Sequence, residues 1–344
     1  MAEIKILTPE NYTRWDEFVR NHPEGTFFHL TGWKKVIEKT FGHEAFYLYV
    51  EENNDFRGIL PLFLLKSPMF GKFLVSNAFA TYGGILAVDE IAAKGLLEAA
   101  KKLTQELKLD YLELRNLHRD EKLPTKDLYY TFRKKISSNE EDNFKMIPRK
   151  QRRMIRIAKD KYKLSSTFGR LELLDTMYEI YARSVHNLGS PVYPKKLFRF
   201  FLQEFPQQSD ILVVSSPAGE PLAAVLNFYF RDEVLPYYGG SVQAGKRLAA
   251  NDFMYWELMC KASREGYRIF DFGRSKKGTG SFSFKKHWGF EATPLRYQYY
   301  LYKAKEIPNL SPANPKFEIF IKTWKKMPFV LTKIVGPGIV KYLP

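Results

Sequence analysis

The chain has 344 residues, about two domains at roughly 150 residues each. Its 45% apolar and 27% charged residues, with 21 Gly and 19 Pro, exclude collagen-like, disordered and disulfide-scaffold chains. Lys and Arg number 54 against 38 Asp and Glu, a formal net charge of +16, which favours an anionic partner such as nucleic acid, phosphate or a lipid surface. The single cysteine, Cys260, allows no intramolecular disulfide and no cysteine-rich metal site, and suits a reducing compartment. A cytoplasmic location is expected: Met1-Ala2-Glu3-Ile4-Lys5 shows no signal-peptide pattern. The longest apolar runs, such as Ile59 to Leu65, fall far short of the ~20 residues of a spanning helix.

In chain order, Thr26-Phe27-Phe28-His29-Leu30-Thr31-Gly32-Trp33 leads into a helical pattern carrying Lys34 and Lys35. Strands are expected over Tyr47 to Val50 and Gly58 to Leu65, and an aromatic, β-branched stretch ends at Tyr82-Gly83-Gly84. Leu96, Leu97, Ala100, Leu103 and Leu107 share one helical face, and a short strand holds Tyr111. From Lys145 to Lys163 the periodicity predicts a helix whose cations surround Met154, Ile155, Ala158 and Tyr162. It is either a solvated linking helix docked by that stripe or a clamp on phosphates.

A second set of elements then repeats the first. Leu173, Leu174, Met177, Tyr178, Tyr181 and Val185 form a helical stripe, followed by a helical pattern with Lys195-Lys196 and strands over Ile211 to Val214 and Pro221 to Tyr229. Tyr238-Gly239-Gly240 and Tyr267 each stand 156 residues after Tyr82-Gly83-Gly84 and Tyr111. A duplicated unit of helices, three strands, a helix and a strand follows, with α+β layering. The division expected is a first domain over 1–144, a basic linking helix over 145–165, a second domain over 166–305 and a basic amphipathic tail over 306–344. The tail either lies in a membrane interface or packs across the first domain.

Few chemical motifs survive inspection. Six scattered histidines (His22, His29, His43, His118, His186, His287) lack metal-ligand spacing, so no metal is expected. Gly-x-Ser-x-Gly is absent, and Cys260 sits in an apolar helix as core filler rather than nucleophile. Gly240 to Arg247 nearly spells a P-loop but ends in Arg where Ser or Thr must hold magnesium. Its backbone N–H groups, with Lys246 and Arg247, still suit a phosphate, although an ordinary basic turn reads the same way. No recognition helix, zinc-finger spacing or RNP-like strand supports sequence-specific DNA binding. The richest stretch, Tyr267 to Phe290, carries Asp271 and Arg274 to a strand end, then a Gly-rich basic loop, then Phe284-Lys285-Lys286-His287-Trp288-Gly289-Phe290. Asp271 and Arg274 read either as part of a site or as an ion pair within the domain.

The duplicated order, Thr26 to Trp33, the basic helix, Phe270-Asp271-Phe272-Gly273-Arg274-Ser275 and Phe284 to Phe290 together resemble the Fem-type aminoacyl and acyl transferases, built from two tandem GNAT-like (acyl-CoA N-acyltransferase) domains. The tail, with Asn314-Pro315-Lys316-Phe317, Trp324 to Pro328 and Gly336-Pro337, is similar to the subgroup associated with exosortase and exopolysaccharide loci. The resemblance implies acyl or aminoacyl transfer to an amine of a cell-envelope or exopolysaccharide-related acceptor. The donor it implies is acyl-CoA or aminoacyl-tRNA, with no permanently bound cofactor. Acyl-CoA-dependent relatives carry Gly-x-Gly or Gly-x-Ala where this chain has Gly245-Lys246-Arg247, so that glycine pattern is broken here.

Such a reaction needs positioning, an oxyanion pocket and a proton acceptor rather than a triad. The resemblance puts a lysine near the reacting ester at Lys285, and Lys285→Met is expected to lose turnover at a nearly unchanged melting temperature. Lys246, Arg247 and Arg274 are expected to hold the donor's anionic groups, with Tyr238, Asp271 and Asn251 lining the same cleft. Asp271 is the first candidate for the proton acceptor and His287 the second. Trp33, Lys34, Lys35 and Tyr82 are expected at the acceptor side, and the tail at the inner face of the membrane. The rival reading is a non-catalytic GNAT-like protein binding glycan or a membrane surface.

Overall fold

The computed structural model describes residues 3–68, 70–308 and 315–343. These residues divide into two units, one drawn from 1–129, 294–310 and 341–344 and the other from 130–293 and 311–340.

In the first unit, Glu3–Ile6, Glu44–Glu52, Asp55–Ser67 and Gly71–Ser76 pair in antiparallel series, and Tyr111–Asn116 then adds in parallel to Gly71–Ser76. Asn53 and Asn54, both at positive φ (50° and 67°), make the two-residue turn between the longest strands, a conformation asparagine tolerates better than most residues. Helices Tyr12–Asn21, Thr31–Phe41 and Glu90–Glu106 complete the unit. The last is capped by the Asp89 carboxylate, which accepts from the Ala92 N–H at 2.8 Å. Its stripe buries Leu96, Leu97 and Ala100, whereas Leu107, already at the cap, is exposed.

The second unit repeats this order. Ser165–Gly169, Ser209–Ser215, Pro221–Phe230 and Glu233–Ser241 pair antiparallel, and Ile269–Asp271 joins Glu233–Ser241 in parallel. The intervening helices are Leu174–Leu188, Lys195–Glu204 and Ala250–Arg264. The two leading strands, Glu3–Ile6 and Ser165–Gly169, escape a pattern reading because neither contains a buried residue. The repeated Tyr-Gly-Gly is not equivalent in structure. Tyr238-Gly239-Gly240 lies within a strand, but Tyr82-Gly83-Gly84 lies in the irregular stretch after Gly71–Ser76. There Gly83 has φ 144° and a Cβ on Gly84 would come within 2.0 Å of Asn116 Oδ1.

The units do not end where the sequence suggests. A further strand, Arg296–Leu301, pairs antiparallel with Tyr111–Asn116 in the first unit, and Arg133–Lys135 pairs antiparallel with Ile269–Asp271 in the second. Residues 130–144 therefore belong with the second unit and 294–305 with the first, instead of the division at 144 and 305. The basic stretch 145–165 is also no separate linker. It folds as Arg149–Arg156, running on into a π-helical turn Ile157–Lys161, and Ile155 and Ala158 enter the second unit's core with Trp256 and Met259. Arg149, Lys150, Arg153, Arg156, Lys159, Lys161 and Lys163 stay exposed.

Of the tail, residues 315–340 pack on the second unit, whereas 341–343 go with the first, where His43 Nε2 lies 2.9 Å from the Lys341 carbonyl oxygen. Asn314 of the tail lies outside the described residues. Helix Phe329–Val340 buries Thr332, Gly336 and Val340, four residues apart along one face. Gly336 lies so close to Val192 that a Cβ would come within 2.9 Å of its backbone nitrogen. Thr332 Oγ1 bonds His186 Nδ1 at 3.2 Å, and Lys333 donates to Glu179 at 2.7 Å. In helix Pro315–Lys326, Ile321 abuts Gly189, the left-handed cap (φ 82°) of Leu174–Leu188. Gly336→Val is expected to cost about 1–3 kcal/mol by overpacking, seen as a lower melting temperature and faster proteolysis at the tail.

Candidate active site

The site grows from the end of strand Ile269–Asp271. Helix Gly280–His287 follows it, its N-terminus capped by Thr279, which accepts from the Phe282 N–H. Phe282 and Lys285, three residues apart, turn inward, while Ser281, Ser283, Lys286 and His287 are exposed. The Phe282 ring meets Tyr130 and Phe132 edge-on at 5.5 and 5.2 Å. Lys285 Nζ donates to the carbonyls of Phe272, Gly273 and Arg274 at 2.6, 3.0 and 3.1 Å, and lies 5.5 Å from the centre of the Phe132 ring. An ammonium has three N–H donors, and all three are spent on this loop. Burial pushes the group down to about 7, with the Asp271 carboxylate opposing and Arg274 adding to the fall. In this conformation Lys285 holds the strand end in shape, with its ammonium turned onto the loop rather than left open for the reacting ester.

Asp271 is equally occupied. Its Oδ1 accepts from the Gly273 N–H at 2.7 Å and Thr131 Oγ1 at 3.4 Å, and its Oδ2 pairs with Arg133 Nε at 3.5 Å. Gly273, at φ 65°, makes that tight turn. Asp271 thus makes an ion pair within the second unit, with Arg133. Its carboxylate is 1% exposed and committed to the loop, which weakens it as the proton acceptor, and His287 lies exposed on the outer side of its helix.

Tyr238 lies on the neighbouring strand in a nest of rings, with Tyr193, Phe198 and Tyr237 at 5.6, 5.1 and 4.7 Å. Its hydroxyl is buried and has no hydrogen-bond partner among the described residues; the same is true of Ser275 Oγ. Burial raises the phenol well above its ordinary range, nearby tyrosines add to this, and Arg274 opposes it. Orphaned buried hydroxyls are uncommon in folded proteins. Lys246 and Arg247, on the short helix Gln243–Arg247, are exposed, and Asn251 is half-buried in the first turn of Ala250–Arg264. Gly245 is needed there because a Cβ would lie 2.5 Å from the Leu222 carbonyl. Cys260 is in the core of that helix, its thiol pushed up by burial.

One residue escaped the sequence reading. Asp252, beside Asn251, is half-buried, and its Oδ1 accepts from the indole N–H of fully buried Trp288 at 3.0 Å. It makes no ion pair among the described residues, and burial pushes its carboxyl up to about 6, against the Trp288 hydrogen bond. Only the three-dimensional meeting of Ala250–Arg264 with Trp288 reveals it.

The first-unit candidates do not form an open site. Trp33 is fully buried, donating its indole N–H to the Ala78 carbonyl at 3.0 Å and meeting Phe28 edge-on at 5.0 Å. Tyr82 is 1% exposed against Phe28. Both are core anchors rather than a rim, because the aromatic run Phe27-Phe28 folds over them. Lys34 is tied to Glu38 at 2.8 Å, and Lys35 is exposed, 5.5 Å from the centre of the Tyr12 ring. The strand position 156 residues before Asp271 is Arg115. It closes the first unit's strand end with a buried network, pairing with Glu113 at 2.8 Å and donating to the Ala80 carbonyl.

Residues 147–286 match the family model described as an acetyltransferase (GNAT) domain. The second unit carries a GNAT domain. The match begins at the basic helix and ends just past Lys285, so it contains every second-unit residue proposed above from the sequence except His287. Among solved structures, FemX superposes with a TM-score of 0.66 at 15% identity, over 88% of this chain and 98% of that one. A tandem GNAT protein from the clavulanic acid biosynthesis pathway, determined without AcCoA, gives 0.56 at 11% identity, over 90% and 100%. L-PGS from Bacillus licheniformis gives 0.56 at 14%, over 94% and 99%. No curated protein matches the sequence. The α+β fold is thus a tandem GNAT fold, shared with the FemX structure.

Proposed function

We propose that the chain transfers an acyl or aminoacyl group from an anionic donor to an amine of a cell-envelope or exopolysaccharide-related acceptor, by direct attack without a covalent enzyme intermediate. The observation that carries this reading is the strand-end loop Phe272–Arg274, pinned by Lys285 within a GNAT domain that also buries the unpartnered Tyr238 hydroxyl. Likeness in fold to FemX and L-PGS favours the aminoacyl and cell-envelope side of the reading.

An amine attacking an ester or thioester forms a tetrahedral oxyanion and gives up a proton; collapse breaks the donor's C–O or C–S bond and releases the tRNA hydroxyl or the CoA thiol, so the step needs a hydrogen bond to the oxyanion and a group to carry the proton. Tyr238 supplies the hydroxyl donor. Asp252, with a carboxyl near 6, replaces Asp271 and His287 as the acceptor, because a base acts best when its acidity lies near the working pH. Lys285 keeps the loop in register as a positioning residue. Lys246, Arg247, Asn251 and Arg274 take the donor's phosphates, whether of acyl-CoA or of aminoacyl-tRNA. The acceptor is met at the inner, cytoplasmic face of the membrane, where the tail contacts the surface. The exosortase and exopolysaccharide association rests on the tail residues alone.

Calorimetric titration with acetyl-CoA, and in parallel with charged tRNA, tests the donor. Saturable binding to one of them is expected, weakened at least about tenfold by Lys246→Glu with Arg247→Glu, since each cation contributes on the order of 1 kcal/mol to phosphate binding. Silence with both donors would transfer the reading to a non-catalytic glycan-binding GNAT-like protein.

A further inference from the structure

Helix Phe329–Val340 is apolar on two opposite faces, and only one of them is buried. Thr332, Gly336 and Val340 face Val192 and His186. On the other side Val330, Leu331, Ile334 and Val335 are 66%, 47%, 70% and 43% exposed. Spaced i, i+1, i+4, i+5, they form a single stripe along the helix. The preceding helix adds Ile319 at 72%, and Leu188, next to the Gly189 that abuts Ile321, is 65% exposed. Apolar side chains exposed singly are ordinary, whereas a continuous stripe of them marks a contact surface.

The charge around the stripe selects its occupant. From Ile319 to Pro344 the sequence holds five lysines and no acidic residue. Lys322 is paired with Glu318 and Lys333 with Glu179, but Lys325 and Lys326 are exposed and make no ion pair among the described residues. A second copy of this chain would bring the same lysines together and carries the same net charge of +16. An anionic lipid surface accepts both the stripe and the lysines. No helix among the described residues is long and apolar enough to cross a membrane, so a bilayer is open to this stripe only at its interface.

We propose that the outward face of the two C-terminal helices, with Val330, Leu331, Ile334 and Val335 as its apolar stripe and Lys325 and Lys326 as its cations, docks the protein on a bilayer rich in anionic phospholipid. This names the surface and the lipid chemistry for the membrane contact in the proposed function, and it rests on that reading only for why the contact is useful.

The test is flotation of the full chain with vesicles of phosphatidylcholine alone or mixed with phosphatidylglycerol. The unaltered chain is expected to float with the mixed vesicles, and less so as salt is raised. Changing Val330, Leu331, Ile334 and Val335 together to Ser should weaken this at least about tenfold, because apolar side chains leave the interface. Lys325→Glu with Lys326→Glu should abolish the preference for phosphatidylglycerol. All six positions point outward or sit on the exposed side, so the fold is retained, which circular dichroism checks. Equal flotation of the Ser variant and the unaltered chain overturns the proposal. So does a dimer in sedimentation velocity that the Ser variant dissolves. Donor titration of the Ser variant separates the two ideas: vesicle binding lost with donor binding kept supports the surface, and vesicle binding kept by a chain silent to both donors leaves the surface standing while the transferase reading fails.

Discussion

Lys285→Met is expected to abolish turnover and to lower the melting temperature at the same time. The sequence leads to the opposite expectation for stability, because the family resemblance places Lys285 near the reacting ester rather than in a structural bond. In the fold it is 9% exposed, and its three N–H donors satisfy three consecutive carbonyls. Methionine fills much the same volume but leaves those carbonyls without donors, at about 1–3 kcal/mol each. Relief from burying an ammonium charge offsets part of this, leaving a net loss of about 2–4 kcal/mol and a fall of roughly 5–10 °C. Turnover should fall by at least about a hundredfold, because the loop carrying Arg274 loses the three bonds that hold its shape. A positioning role also has a signature that bulk destabilisation lacks. A neutral amine has two N–H donors, so one carbonyl is released as pH rises through about 7, and turnover of the unaltered chain should fall on the same limb. Scanning calorimetry beside a donor-turnover assay at a temperature where the variant is folded checks this. Turnover preserved in the folded variant would reduce Lys285 to a structural tie.

What can be read in the chain and what cannot divide along physical lines. The duplicated order is legible because core faces repeat at helix and strand periods, as with Leu96, Leu97 and Ala100 or Ile211 to Val214, all buried as expected. The ends of the units are not legible. Arg133–Lys135 and Arg296–Leu301 are short and rich in charge or aromatic residues, and their partners are remote in the chain, Lys134 facing Phe270 and Gln298 facing Leu114. Over such separations local pattern carries no signal. Site residues fare in the same way. The residue types around Lys285 and Tyr238 point to a site, but the direction of a side chain depends on which carbonyls and rings meet it. Trp33 shows the converse, since an aromatic beside two lysines looks like a binding edge until Phe27 and Phe28 fold over it.

Asp252→Asn should make the protein more stable and less active. The Asp252 carboxyl stands near 6 in the fold against an ordinary 3.8, chiefly because burial disfavours its charge and no cation compensates. Between those two values the folded chain binds more protons at this site than the unfolded chain does. Stability therefore falls as pH rises from about 4 to about 6, and the whole cost persists at neutral pH and above. A rise of that size corresponds to about 3 kcal/mol, which partial contact with solvent reduces to about 1–2 kcal/mol. Asparagine keeps a carbonyl oxygen for the Trp288 N–H and has no charge to bury. At pH 8 its melting temperature should therefore rise by roughly 3–6 °C, with no gain at pH 4. Turnover should fall by about a hundredfold or more if Asp252 takes the amine's proton. Trp288→Phe sharpens the test, because loss of the N–H removes the contact that holds the carboxyl down, so the acidic limb of the pH–turnover curve should move upward. A stabilised Asp252→Asn chain with unaltered turnover would assign the buried carboxylate no part in the reaction, and proton uptake would then fall to the acceptor's own solvent.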